Sequence, residues 1–286
     1  MNQDIKYFIF DVESVADGDL IARTKYPGQS LSPEQAIRRF RQELLTTSGR
    51  DFIPYTFHIP VAILIAKVRH DLTLEDIVSL DAPLHRPHVM TRHFWLGWEK
   101  YQEPTWVTFN GRTFDLPLME HAAYRYGIAV PKWFNLQGRS FEQCRNRYNL
   151  SAHIDLQEIL TNFGATWFRG GLNLAASILG KPGKMDIQGD MVYDLYQQGR
   201  LEEISEYCRC DVLDSYFVFL RTMVLTGELT LEREQHLVAE AKNMLTAQAD
   251  QHAGYRLYLQ RWGDWDNPWT EPADAPATAS HGTSQG

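Results

Sequence analysis

The fold is decided near the N-terminus, in the stretch KYFIFDVES at residues 6–14. From Tyr7 to Phe10 every side chain is aromatic or β-branched, which is typical of a strand buried on both faces of a sheet. Asp11 and Glu13 follow directly, where the strand is expected to leave the sheet. Because strand side chains alternate between the two faces, these carboxylates should point to the same side. The alternative interpretation is that both carboxylates lie in solvent at the end of the strand and have no function.

Hydrophobic patterning and turn residues predict further strands and helices. Apolar runs that predict strands lie at residues 59–68, 76–80, 106–109 and 152–156. Ser32, Pro33 and Gln35 are typical of a helix start, so a helix is expected from there to about residue 45. Another helix should run over residues 116–126 and stop at Gly127. Strands early in the chain and helices later favour an α/β domain with one mixed sheet.

Composition limits the location and the partners of the protein. The 286 residues include 28 Lys and Arg against 36 Asp and Glu, a net charge of -8 that would not attract a polyanion. That argument weakens if several carboxylates hold cations, because bound cations reverse the local field. The chain has three cysteines, too few for a disulfide framework, and we recognise neither a secretory leader nor an apolar membrane span. We expect a cytoplasmic protein with free thiols and no membrane contact.

A second acidic motif, NGRTFDLP at residues 110–117, follows the strand predicted at 106–109. It opens a helix, so Asp115 is expected at the carboxyl end of a strand, where open α/β sheets place ligands. Asp115 and the first strand's carboxylates could therefore share one crevice. The alternatives are that Asp115 only caps its helix and that Asn110 only caps its own turn.

A third motif, YCRCD at residues 207–211, lies in a stretch that is expected to be helical. The i, i+4 spacing puts the Tyr207 hydroxyl and the Asp211 carboxylate on one helix face. An amphipathic helix with a half-buried Tyr207 and a solvated Asp211 would show the same pattern.

In chain order the three motifs read D-x-E, N-x-x-x-F-D and Y-x-x-x-D, and together they resemble the Tyr-bearing DEDDy branch of the DEDD exonuclease superfamily. The likeness is to the proofreading domain of family B DNA polymerases. Residues 11–14 stand where that family has D-I-E-T, and residues 109–117 match its Y-N-x-x-x-F-D-x-P. Ser14 replaces the usual Thr. The chain resembles a stand-alone exonuclease of this type over residues 5–222, since the remainder is too short for a polymerase domain.

The resemblance implies an RNase H-like α/β fold, with a mixed five-stranded sheet flanked by helices and a helical C-terminal part. An exonuclease domain would then occupy residues 1–264. It would contain a helical insert at about 17–57 and a helical extension at about 223–264. Residues 265–286 are expected to form a disordered tail, because their small and polar side chains bury little apolar surface.

The resemblance also implies a site with two divalent cations, Mg²⁺ or Mn²⁺. The metal ligands carried over from the family are Asp11, Glu13, Asp115 and Asp211. Tyr207 would orient the attacking water, and the substrate would contact Ser14, Asn110 and Phe114. Carboxylate oxygens are the ligands that such hard cations prefer.

The activity implied is 3′→5′ exonuclease action on mainly single-stranded DNA, with release of 5′-mononucleotides. The partner would be a nucleic acid with a free 3′ end. Two alternatives stay open: a 3′→5′ exoribonuclease with the same site, and an inactive module that binds nucleic acid.

Several residues outside these motifs were also candidates for a role. Phosphate contacts could come from Arg38, Arg39, Arg41, Lys181 and Lys184, although a solvated surface explains each of them as well. His153 and Asp155 would share a strand face, and we interpret them as a hydrogen-bonded core pair. The tryptophans at 262, 265 and 269 are expected to cover the core.

Overall fold

A mixed five-stranded sheet forms the centre of the protein in its computed structural model, which describes residues 4–183 and 189–269. The strands are β1 (Ile5–Ala16), β2 (His58–Arg69), β3 (Leu74–Ser79), β4 (Thr105–Thr108) and β5 (His153–Asp155). Their order across the sheet is β3-β2-β1-β4-β5. The β1–β2 and β2–β3 pairs are antiparallel, and the β1–β4 and β4–β5 pairs are parallel. The predicted RNase H-like arrangement is confirmed.

Helices flank the sheet and make up the C-terminal part. They are α1 (Gly18–Lys25), α2 (Pro33–Ser48), α3 (Pro87–Lys100), α4 (Asp115–Tyr126), α5 (Pro131–Phe134), α6 (Leu156–Leu160), α7 (Gly171–Ile178), α8 (Gly189–Gln197), α9 (Leu201–Thr226), α10 (Leu231–Gln248) and α11 (Ala253–Gln260). Within the described ranges, every helix is too short or too polar to cross a membrane.

Local signals explain where two predicted helices begin and end. Ser32 caps α2 in a complete capping box with Gln35, so the predicted helix start is confirmed. Helix α4 ends at Gly127, which has the left-handed φ of 65° that glycine adopts without strain.

The two faces of β1 pack against different helices because its side chains alternate. Phe8 and Phe10 join the core on the side of α3, where the Phe10 and Phe94 rings lie 5.0 Å apart. Tyr7 and Ile9 face α9, and the Tyr7 ring lies 4.9 Å from that of Phe219. From Tyr7 onward, beyond the register shift that follows Ile5, the odd-numbered residues of β1 therefore point toward α9.

The prediction that β1 ends at its acidic residues is wrong, because the strand continues to Ala16. Asp11 pairs with Leu64 of β2 and Glu13 with Ala62, so the backbone of β1 stays hydrogen-bonded along the acidic segment. On the other side, the parallel pairing with β4 covers only residues 7–9 of β1. Beyond that point the sheet opens into a crevice beside Asp11 and Glu13.

Residues 17–57 contain α1 and α2, which pack around a small apolar cluster of their own that includes Ile21, Ile37 and Phe40. Residue Tyr193 of α8 packs against this cluster. Of the expected tail at 265–286, only residues 265–269 are among those described, and Lys184 also lies outside them.

Candidate active site

Three carboxylates from two distant parts of the chain meet above the sheet. Asp11 and Glu13 point from β1 toward α9, and Asp211 projects from α9 to meet them. Each offers one oxygen, and these oxygens all lie within 4.8 Å of one another. Asp211 is thus partly exposed, but it faces two other carboxylates rather than open solvent alone.

Helix α9 also supplies two neighbours of this cluster. Tyr207 lies one turn before Asp211, is buried, and hydrogen-bonds its side chain. The thiol of Cys208 donates to Oδ2 of Asp11 at 3.3 Å and to its backbone oxygen at 3.4 Å. Cys144, Cys208 and Cys210 are free thiols, as predicted.

Asp115 is the first residue of α4 and is only 8% exposed. It lines the same cleft as Glu13, but it does not belong to the set of three whose oxygens approach within 4.8 Å. Phe114 occupies the N-cap position, so the interpretation of Asp115 as a capping residue is wrong.

Burial and crowding shift the protonation of these groups. Burial raises the pKa of Asp11 to about 6, against the opposing hydrogen bond from Cys208. Burial, followed by the charges of Asp11, Asp155 and Asp211, raises the pKa of Asp115 well above its usual range. The pKa of Tyr207 is also raised, first by burial and then by the Asp211 and Glu13 carboxylates. Without cations, burial and crowding therefore favour the protonated forms of Asp11, Asp115 and Tyr207.

A buried carboxylate holds the turn before Asp115 in place. Asp155, at the end of β5, accepts hydrogen bonds from the backbone N–H of Asn110 at 2.9 Å and of Arg112 at 3.0 Å. Asn110 has a φ of 64°, and a Cβ on Gly111 would lie 2.5 Å from Oγ1 of Thr108. The sequence N-G-R thus fits a turn that larger residues at Gly111 could not form.

The expected hydrogen-bonded pair of His153 and Asp155 does not form. His153 instead bonds Thr108 through Nε2 at 2.8 Å, while Asp155 is occupied by the turn and by the start of α6. The two side chains were predicted to share a strand face. His153 bonds Thr108 of β4, whereas Asp155 bonds the turn that follows β4. Asp155 is therefore a supporting residue that the sequence interpretation left out.

A cleft of about 910 Å³ opens beside the carboxylates. It is lined by all three predicted substrate residues, Ser14, Asn110 and Phe114, together with Glu13 and Asp115. Pockets of this size accept small ligands such as a nucleotide.

The segment before β2 and His58, the first residue of β2, also line this cleft and were not predicted to take part. The Phe52 ring lies 5.7 Å from that of Phe114 and 6.0 Å from that of His58. Nδ1 of His58 is 3.0 Å from Oγ of Ser14, and burial lowers the pKa of His58 to about 4, so the ring is neutral. These residues lie far from the acidic motifs in sequence, and no spacing rule connects them.

Comparison with models of known families shows to which family the chain belongs. A family model described as a predicted 3′–5′ exonuclease related to the exonuclease domain of PolB matches residues 50–262. The chain belongs to this family. A search of curated proteins gives no match. Membership supports a predicted exonuclease of the PolB type, a class whose substrate is a nucleic acid.

The match to the exonuclease family covers only part of the candidate site. Asn110, Phe114, Asp115, Tyr207 and Asp211 lie inside residues 50–262, whereas the strand carrying Asp11 and Glu13 precedes them. The structure supplies the connection, because it brings those two carboxylates to Asp211.

The cationic side chains that were candidates for phosphate contacts differ in their burial and in their ion pairs. Lys181 is only 5% exposed, and its Nζ donates to the backbone oxygen of Gly263 at 2.9 Å, so the hypothesis of a phosphate contact there is wrong. Arg39 is paired with Glu43 on the surface of α2. Arg41, paired with Asp51, lines the cleft. Arg38 is exposed on α2.

The C-terminal tryptophans were expected to cover the core, and they do so unequally. Trp262 packs against the core, with its ring 5.3 Å from that of Phe217. Arg221 lies over the ring of Trp265 at 4.1 Å. Trp269 is 80% exposed, so for this residue the prediction is wrong.

Proposed function

We propose that this exonuclease removes 5′-mononucleotides from the 3′ end of single-stranded DNA with the help of two divalent cations. The observation that carries the proposal is the meeting of Asp11, Glu13 and Asp211 within 4.8 Å, beside a cleft that could hold a nucleotide.

The chemistry of the donor set fits Mg²⁺ or Mn²⁺. All the candidate ligands are carboxylates, and such hard cations prefer oxygen ligands. Asp11, Glu13 and Asp211 would hold one cation, while Asp11 and, indirectly, Asp115 would hold the other. When bound, the cations would supply a water of lowered pKa and stabilise the charge on the leaving oxygen.

Tyr207 fits the role of a positioning group for water. Its raised pKa keeps the hydroxyl protonated, so it cannot accept a proton as a general base. A hydroxyl that donates to Asp211 can still accept a hydrogen bond from a water and hold it in line with the phosphorus.

The lining of the cleft suits a terminal nucleotide. Phe52 and Phe114 offer aromatic faces on which a base can stack, which is a contact that tolerates any base. The Ser14 hydroxyl, oriented by the neutral His58 ring, is available for the terminal sugar. Arg41 is the cation of the cleft wall that could approach a phosphate.

Degradation of end-labelled single-stranded DNA and RNA, side by side, tests the proposal. We expect DNA to be shortened with Mg²⁺ or Mn²⁺ and to stay intact with chelator. Faster hydrolysis of RNA would assign the site to an exoribonuclease. Binding of both strands without hydrolysis of either would instead indicate an inactive binding module.

A further inference from the structure

The loop after α6 holds a tryptophan in solvent. Trp167 is 89% exposed, Arg169 follows two residues later, and Arg147 and Tyr148 pack against the same loop at Phe163. We call Arg147, Tyr148, Phe163, Trp167 and Arg169 the Trp167 surface. The family match and the predicted motifs assign it no role.

The loop is tightly built. Its backbone is closed by hydrogen bonds from Phe163 N–H to Glu158 at 2.7 Å and from Thr166 N–H to Thr161 at 3.0 Å. Asn162 and Phe163 have φ values of 50° and 55°, a left-handed conformation that non-glycine residues rarely adopt. A large apolar side chain held outward on such a turn is preorganised for a ligand.

Neighbouring side chains extend this surface. Arg147 is anchored by an ion pair with Glu158 at 2.8 Å and by a bond to the backbone oxygen of Phe163 at 2.7 Å. The Tyr148 ring lies 5.0 Å from that of Phe163, and the Tyr148 side chain is largely exposed. Two aromatic residues and two arginines thus face solvent together.

Contacts connect the Trp167 surface with the candidate active site. Phe168, adjacent to Trp167, has its ring 6.1 Å from that of Phe109, which lines the cleft. Glu158 binds Arg147 on one side and Arg112, of the motif that contains Asp115, on the other. The loop that carries Trp167 therefore adjoins the cleft at Phe109.

The local charge also differs from that of the whole acidic protein. Between residues 138 and 170 the exposed cations are Arg139, Arg145, Arg147 and Arg169. The carboxylates of the same segment are Glu142, Asp155 and Glu158, and the last two are buried. Arg145 is paired with Glu120 and Arg147 with Glu158, so the positive charge that this surface offers a polyanion comes mainly from Arg139 and Arg169.

We propose that the Trp167 surface binds the single strand upstream of the terminal nucleotide. Bases would stack on Trp167 and Tyr148, and phosphates would contact Arg147 and Arg169. This inference rests on the proposed exonuclease function. It adds contacts for the nucleotides that precede the 3′-terminal one. Alternating aromatic and cationic side chains are the usual features of single-strand binding.

The test compares Trp167→Ala with the wild-type protein on a 20-nucleotide strand and on a dinucleotide. We expect KM for the long strand to rise about 5- to 150-fold, as for loss of one stacked base, with kcat unchanged. The dinucleotide presents at most one nucleotide beyond the terminal one, so its kcat/KM should fall much less. Trp167→Phe keeps an aromatic face and should restore most of the loss. Trp269→Ala is the matched control, because Trp269 is 80% exposed elsewhere on the chain.

An unchanged KM for the long strand in Trp167→Ala would overturn the inference. The exposed tryptophan would then be better explained as a contact for a protein partner. Equal losses on both substrates would overturn it too, as a general defect of the site. Fluorescence anisotropy with the labelled 20-nucleotide strand separates this inference from the proposed function. One result would support the Trp167 surface and contradict the exonuclease proposal. In that result the wild-type protein binds the strand, Trp167→Ala binds it more weakly, and neither protein hydrolyses it.

Discussion

The thiol of Cys208 donates a hydrogen bond to Oδ2 of Asp11 across 3.3 Å, which joins α9 to β1 at the centre of the carboxylate cluster. The same thiol also contacts the backbone oxygen of Asp11 at 3.4 Å. Cys208 is fully buried, and burial raises the pKa of the thiol, so it remains a neutral donor. It therefore fixes the orientation of a candidate metal ligand without contacting solvent.

Replacing Cys208 should weaken metal binding without removing it. We expect Cys208→Ala to lower Mn²⁺ affinity or activity by about 10- to 100-fold, as for other groups that orient a metal ligand, and Cys208→Ser to lose less because it keeps a donor. Isothermal titration with Mn²⁺ measures this. Cys210→Ala is the control, since Cys210 is equally buried but contacts Glu206 and Gly254. Equal losses in the Cys208 and Cys210 variants would show a packing effect instead.

The carboxylate cluster should make cations stabilise the fold. Millimolar Mn²⁺ or Mg²⁺ is expected to raise the melting temperature, because a ligand that binds the native state shifts unfolding by mass action. Asp11→Asn and Asp211→Asn should abolish both hydrolysis and this thermal shift. Their apo forms should melt at or above the wild-type temperature, since the variants relieve repulsion among the carboxylates. A thermal shift that persists in Asp211→Asn would exclude it as a ligand.

Tyr207→Phe should be a milder change than loss of a carboxylate. It removes the hydroxyl and keeps the buried ring, so we expect a fall in kcat of about 10- to 1000-fold with folding unchanged. Because the raised pKa excludes a role as a general base, the variant should keep the shape of the wild-type pH–rate profile. Disappearance of one limb of that profile would assign the titrating group to Tyr207.

Much of this site was predictable because it depends on local periodicity. Period two on β1 put Asp11 and Glu13 on one face, and the four-residue spacing on α9 put Tyr207 beside Asp211. The hydrophobic runs also indicated the strands, most clearly β2 and β4, which are buried along most of their length.

The rest depends on tertiary contacts that no spacing encodes. The length of β1 follows from its pairing with β2, which keeps the acidic segment in the sheet. Phe52 and His58 reach the cleft only because the segment before β2 folds over it. Lys181 looked like a surface cation, but the C-terminal segment covers it with Trp262, whose ring lies 4.1 Å from Nζ.

Asp214 should make stability depend on pH in a defined direction. Burial raises its pKa to about 7 against the opposing hydrogen bond from Tyr258, which is 2.6 Å long. The native state therefore keeps a proton on Asp214 that the unfolded chain releases near pH 4. The contribution of Asp214 to the free energy of unfolding is at its highest below about pH 4 and falls as the pH rises to about 7. The loss amounts to roughly 4 kcal/mol at most.

Denaturant unfolding of Asp214→Asn across this range measures the effect. Asn keeps an acceptor for Tyr258 and has no charge to bury, so the variant should gain stability relative to the wild-type protein as the pH rises from about 4 to about 7. A difference that stays constant over this range would contradict the raised pKa.

The polarity of degradation tests the central claim most directly. A single-stranded DNA labelled at its 5′ end should give a descending ladder with Mn²⁺, and the same strand labelled at its 3′ end should release labelled mononucleotide at once. A 3′-terminal phosphate should slow both reactions, and Asp211→Asn should stop them. Cleavage of a circular single strand, or a ladder that begins at the 5′ end, would contradict the assignment of a 3′→5′ exonuclease even if the reaction required the metal.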